Sequence, residues 1–202
     1  MKHSFLFYAL SAFAFALRLT SPASADVILF DSYTPPGTLG GGSSANSGIA
    51  TEISVTSNLA ITSLAVNNGM GSAGNLRFAI LSVPLHQFLY LSPPKAFAAD
   101  AAGELTWKQS DPLSFTFLAG NQYAVGYLRD VDANDFLDSV AESSNGVTST
   151  LKCDCLDGFA NPSFSHQCFT GVDQAIRLIG VPEPATTTLL LLGMLGCGWR
   201  RR

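Results

Sequence analysis

Basic residues are scarce in the middle of this chain. Between positions 26 and 180 there are six, Arg77, Lys95, Lys108, Arg129, Lys152 and Arg177, against fourteen acidic residues. That stretch therefore carries a net charge of −8, although the whole chain carries −4. Binding a phosphate backbone needs clustered Lys and Arg, so the composition argues against a nucleic-acid partner, while net acidity favours solubility. Catalytic signatures are missing too. There is no G-x-S-x-G, no H-E-x-x-H and no phosphate-binding loop. His86 stands alone among apolar residues, where a histidine is more often packed than used as a base. The carboxylates show no spacing that assigns glycoside chemistry. The expectation is a protein that is not an enzyme and uses no cofactor. No long segment repeats its apolar residues every 3.6 positions, which argues against a helical body, and no internal repeat stands out.

What the chain does have is concentrated first at its ends. Met1, Lys2 and His3 precede an apolar run from Ser4 to Leu17, and Ala23-Ser24-Ala25 follows. A basic start, a short apolar core and an A-x-A site define a secretory signal, with cleavage expected between Ala25 and Asp26. Arg18 ends the run short of the roughly 20 apolar residues that a membrane span needs. Residues 1–25 therefore read as a signal helix.

At the other end, Val181-Pro182-Glu183-Pro184 leads into Ala185–Trp199, an uncharged, mostly apolar run, and Arg200-Arg201-Arg202 closes the sequence. Fifteen helical residues cover about 22 Å, short of the roughly 30 Å hydrocarbon core. Trp199 and the arginines extend that reach by sitting at the interface. The positive-inside rule places the arginines on the cytoplasmic side, and hence the body outside. Pro182, Glu183 and Pro184, the short apolar helix at about 185–199 and the terminal Arg200–Arg202 together resemble the PEP-CTERM sorting signal of Gram-negative bacteria. The resemblance implies processing by an exosortase, a membrane enzyme that cuts at the motif. It also implies a membrane-anchored precursor destined for the cell surface or extracellular matrix, and an association with exopolysaccharide and biofilm.

Between these signals, residues 26–180 read as all-β. Val27–Tyr33 and Ile61–Val66 are apolar runs of β-formers. Leu76, Phe78 and Ile80 alternate with Arg77 and Ala79, and Tyr123, Val125 and Tyr127 alternate with Ala124 and Gly126. Ile53 and Val55, the series Leu113, Phe115 and Phe117, and the pair Ile176 and Leu178 follow the same rule. A period of two means one buried and one wet face. Turns are expected at Thr34–Ser44, Asn67–Gly74, Ser92–Pro94 and Ala119–Asn121. The pattern predicts a β-sandwich or jelly-roll-like body. Ile28–Asp31, Ile61–Leu64, Leu76–Ile80, Trp107, Ser110–Phe115 and Ala119–Tyr123 resemble the exported sandwich domains of the choice-of-anchor kind, a loose likeness without catalytic motif.

Of the four cysteines, Cys197 lies in the tail, leaving Cys153, Cys155 and Cys168 in an exported, oxidising setting. One of the first two is expected to pair with Cys168 and close a loop around Gly158–His166. A Cys–Cys–His metal site with His166 is the alternative, although zinc sites favour C-x-x-C spacing. Asp130, Asp132 and Asn134 place side-chain oxygens at alternate positions, as a calcium loop opens. The glycine and glutamate of an EF-hand are replaced by Asp135 and Ala141. A weak calcium site, with Asp138 added, stands against a plain solvated loop. Function then rests between a structural or interaction protein and a carbohydrate-binding module that stacks Tyr90, Trp107, Tyr123 or Tyr127 on sugar rings. A polysaccharide-acting enzyme is the third candidate.

Overall fold

A computed structural model describes residues 26–33 and 38–181. The signal helix, the cleavage residues Ala23 and Ala25, the motif Pro182–Pro184, the tail helix and Arg200–Arg202 lie outside the described residues. Among the described residues the strands are β1 (Val27–Asp31), β2 (Thr38–Ser43), β3 (Ser47–Val55), β4 (Leu59–Ile61), β5 (Ser63–Met70), β6 (Gly74–Ser82), β7 (Gln87–Leu91), β8 (Lys95–Phe97) and β9 (Thr106–Gln109). They continue with β10 (Phe115–Phe117), β11 (Gln122–Arg129), β12 (Ala133–Asp138), β13 (Ser143–Ser144), β14 (Val147–Asp157), β15 (Ser163–Thr170), β16 (Asp173–Gln174) and β17 (Ile176–Gly180). The body is all-β.

Four antiparallel ladders organise these strands. β1 pairs β17, β3 pairs β14, β5 pairs β12 and β6 pairs β11. Each ladder joins a strand of the first half to one of the second, nested as in one long hairpin. Cross-pairing of β17 with β5 and of β11 with β3 folds that hairpin into two sheets. Sheet I runs β1-β17-β5-β12-β16, and sheet II runs β13-β14-β3-β11-β6-β7. Their inner faces share one core. Phe30, Leu64, Val66 and Leu178 come from sheet I, and Ile53, Phe78, Val125 and Tyr127 from sheet II, all almost fully buried. Burying each such side chain contributes about 1.5–3 kcal/mol. The arrangement is consistent with a β-sandwich.

Three expectations are corrected. The turn at Asn67–Gly74 shrinks to residues 71–73, because Asn67–Met70 complete the fully buried strand β5. The turn at Thr34–Ser44 contains β2, which pairs with β12. The acidic loop ends at Asp132, since Ala133–Asp138 form β12 inside sheet I. Asp135 can enter the interior because Arg129 neutralises it. The guanidinium donates Nη1 to Oδ1 at 2.8 Å and Nη2 to Oδ2 at 3.2 Å, and both residues are at most 2% exposed. The Tyr127 hydroxyl donates to the same carboxylate and accepts from Arg129 at 2.6 Å. Burial, then the Asp135 charge, pushes the Tyr127 phenol well above its ordinary value.

Candidate functional site

The outer face of sheet II is not wet, as a period of two would suggest. Ala50, Ala79, Ala124, Leu81, Leu128 and Leu156 form a second buried cluster there. Two hairpins cover it. The β6–β7 hairpin supplies Val83, Phe88 and Leu91, and the β14–β15 hairpin supplies Phe159 and Phe164. The small alanines leave room for these covering rings. Arg77 ties the two arms together, donating Nε to the Ser92 carbonyl at 3.0 Å and Nη1 to the Phe159 carbonyl at 2.9 Å. The Cys155–Cys168 disulfide staples the second arm.

The arms meet in an open cleft of about 570 Å³, lined by His86, Gln87, Phe88, Pro162, Ser163 and Phe164. That volume falls within the roughly 300–1,000 Å³ of small-ligand sites. His86 holds a left-handed backbone, φ 51°, at the tip of the β6–β7 turn. L-residues adopt that conformation seldom, and it is worth examining where it occurs. The imidazole stacks on Phe164, with ring centroids 4.0 Å apart and planes 23° from parallel. The cleft thus joins two ring faces to an amide and a hydroxyl.

On the same face Glu52 of β3 and Asp154 of β14 share a hydrogen bond, at 7% and 2% exposure. Burial, then the Glu52 charge and hydrogen bond, pushes Asp154 up to about 6, while His86 and Lys152 pull it back.

The residues singled out from sequence fare unevenly. Cys155 is the partner of Cys168, with Cα atoms 5.4 Å apart. Cys153 points into the core, and burial first pushes its thiol up to about 12. His166 is a ladder partner of Cys155. Its imidazole pairs with Ser165 at 3.0 Å. The calcium candidates are not brought together. Asp130 accepts from the Asn75 amide and side chain, both at 2.6 Å. Asp132 accepts from the Ala45 amide at 2.7 Å. Asn134 is an exposed residue of β12, and Asp138 is buried. No group of three metal-ligating side chains occurs among the described residues. Tyr123 and Tyr127 are buried and Tyr90 packs against the core. The Arg177 guanidinium covers one face of Trp107 at 3.7 Å, so none of the four forms an exposed coplanar pair. The cleft was missed in the sequence, where only the out-of-place His86 marked it.

Residues 180–202 match the PEP-CTERM protein-sorting motif. No curated protein matches the chain. The motif begins at the last residue of β17, so it follows the folded body without a linker. It implies an exported protein, processing by an exosortase and a membrane-anchored precursor. Among the described residues no helix is long and apolar enough to cross a membrane.

Proposed function

We propose that this chain is an exosortase-sorted precursor whose body acts at the cell surface or in the extracellular matrix as a structural or interaction protein rather than an enzyme. The sorting motif, joined directly to the final strand, is the observation that carries this reading. The body reads as a jelly roll, because its nested ladders are those of a hairpin rolled into two sheets. A disulfide and a doubly covered sheet suit a domain that must last outside the cell. Intact-mass measurement of the protein from its own cells tests the sorting. A mass running from Asp26 to the neighbourhood of Pro184 is expected, and a mass retaining Arg202 would reduce the tail to a plain anchor.

The second reading is carbohydrate binding, with exopolysaccharide as the ligand, and the His86–Phe164 cleft favours it. Stacked rings beside Gln87 and Ser163 offer the apolar faces and hydrogen bonds that a sugar ring needs. Titration of the protein with neutral oligosaccharides should give binding that F164A weakens about tenfold, as losing one good ring contact of about 1.4 kcal/mol would do. Equal affinity of both proteins would move any glycan site elsewhere.

A further inference from the structure

A strand at the edge of a sheet leaves a row of backbone groups unpaired, and stable folds blunt such edges. Several edges of this body are blunted. β1 is capped by Ser144 and Asn145, which donate to the Leu29 carbonyl at 3.1 and 2.5 Å. β9 is capped by Lys95, which donates to the Gln109 carbonyl at 3.0 Å. β15 is broken by two register shifts against β14 and stapled by the disulfide. β13 and β16 are two residues long. β7 differs from all of these. It ends the path of sheet II and pairs with β6. Among the described residues no strand pairs its outer edge, and no side chain donates to its carbonyls or accepts from its amides. Its sequence, Gln87-Phe88-Leu89-Tyr90-Leu91, favours strands and holds no charge and no proline. The ladder with β6 skips Leu89, whose side chain is 47% exposed.

Charge decides what can cover this edge. The body carries a net −8, yet no Asp, Glu, Lys or Arg occurs from Phe78 to Pro94. Asp111, whose charge reaches Tyr90, is paired with Lys95 at 2.9 Å. A charged peptide finds no counter-charge on β7, so the strand that fits it is neutral and extended. Two acidic bodies repel each other, but exposed charges farther apart than about 8 Å are largely screened at physiological salt. The uncharged hairpin is therefore where a second copy meets least repulsion. That copy also brings the neutral strand that the edge needs.

We infer that β7 is a self-association edge, on which a second copy of this chain lays its own β7 antiparallel about a two-fold axis at Leu89. That axis sets Leu89 against Leu89, Phe88 against Tyr90 and Gln87 against Leu91, so that apolar and aromatic side chains meet across the strands. A two-fold contact uses the same patch on both subunits, and assembly stops at the dimer. Five residues on each side make the contact small and transient. The two copies of sheet II become one sheet, with both outer faces on the same side, so the two His86–Phe164 clefts open together. The inference gives the interaction role proposed above a partner, and it does not depend on the sorting.

Cross-linking and sedimentation of the full-length, signal-processed chain test this, in detergent at less than one chain per micelle and on a C197S background. Under mild oxidation L89C should form disulfide-linked dimers several-fold faster than S72C, which lies in the exposed turn at residues 71–73. The sedimenting protein mass of the chain without either cysteine should rise with concentration from one copy toward two. L89K, which puts a charge on the edge, should hold it at one copy while melting within about 2 °C of the wild type. Equal linking of L89C and S72C overturns the inference, and so does a chain that stays at one copy up to about 1 mM, where even weak pairing shows. A dimer that L89K leaves intact also overturns it, because the contact then lies in the tail or on another face. None of these outcomes bears on the sorting, which the intact mass decides.

Discussion

Sheet II buries ionisable groups on both of its faces, and the two faces neutralise them by different means. On the inner face Arg129 meets Asp135 in a two-pronged ion pair, closed by the Tyr127 hydroxyl. Charge cancels charge there. On the outer face burial first, and then the neighbouring Glu52 charge, raises the Asp154 carboxyl, with His86 and Lys152 acting against them. The difference teaches what each face is for. The inner pair serves packing between the sheets. The outer pair ties the body's stability to acidity, beneath a cleft that opens to solvent.

The largest expected effect comes from breaking the inner pair. R129M leaves Asp135 buried without its cation and should cost about 3–5 kcal/mol in chemical denaturation. R129M with D135L should recover most of that, because removing both charges avoids the uncompensated one. Next comes the staple that holds the covering arm. C155S should lower stability by about 3 kcal/mol, the chain-entropy value for a loop of about 15 residues, and reductant should bring the wild type down to the same level.

Smaller again is the proton. The folded chain keeps Asp154 protonated to about pH 6, against an ordinary value of 3.8, and Asp173 behaves alike. Between those values the folded chain binds protons that the unfolded chain has released. Stability contributed by these groups is therefore complete below about pH 4 and falls as pH rises through about 6, by up to roughly 3 kcal/mol for each group. Asp100 works the other way. Although partial burial pushes it up, the Lys108 ion pair and neighbouring hydrogen bonds hold it low, and so it contributes stability that is lost in acid. E52Q should flatten the fall and stabilise the protein by about 1 kcal/mol at pH 8, where the wild-type pair is most strained. An unchanged pH profile in E52Q would mean that Glu52 does not raise the Asp154 carboxyl.

The strands legible in the sequence are those with one clean apolar face. Leu76, Phe78 and Ile80 point into the core as their alternation predicts, and so do Tyr123, Val125 and Tyr127. Strands that bury polar groups were not legible. Asn67 and Asn68 read as turn residues, yet the Asn67 carbonyl accepts from the Gln174 side chain at 2.7 Å inside the fold. Asp135 and Asp138 read as a solvated loop because their interior environment is supplied by distant strands. The covered outer face was illegible for a related reason. Ala50, Ala79 and Ala124 are too small to announce burial, and the rings above them come from elsewhere in the chain. The Glu52–Asp154 contact joins positions about a hundred residues apart, and no local pattern marks it. The disulfide was legible except for one partner, since strand geometry alone cannot choose between Cys153 and Cys155.

The place of β17 in sheet I has a temporal consequence. It lies between β1 and β5, although it is the last strand before the tail. A chain threading out of the cell in order offers β1 and β5 long before the strand that must fill the gap between them. Until Ile176–Gly180 arrive, sheet I is split, and pairings this distant in sequence are slow to form. The body therefore travels unfinished. Its final strand is delivered together with the segment that follows, so closure of the fold and arrival of the anchor are timed as one event.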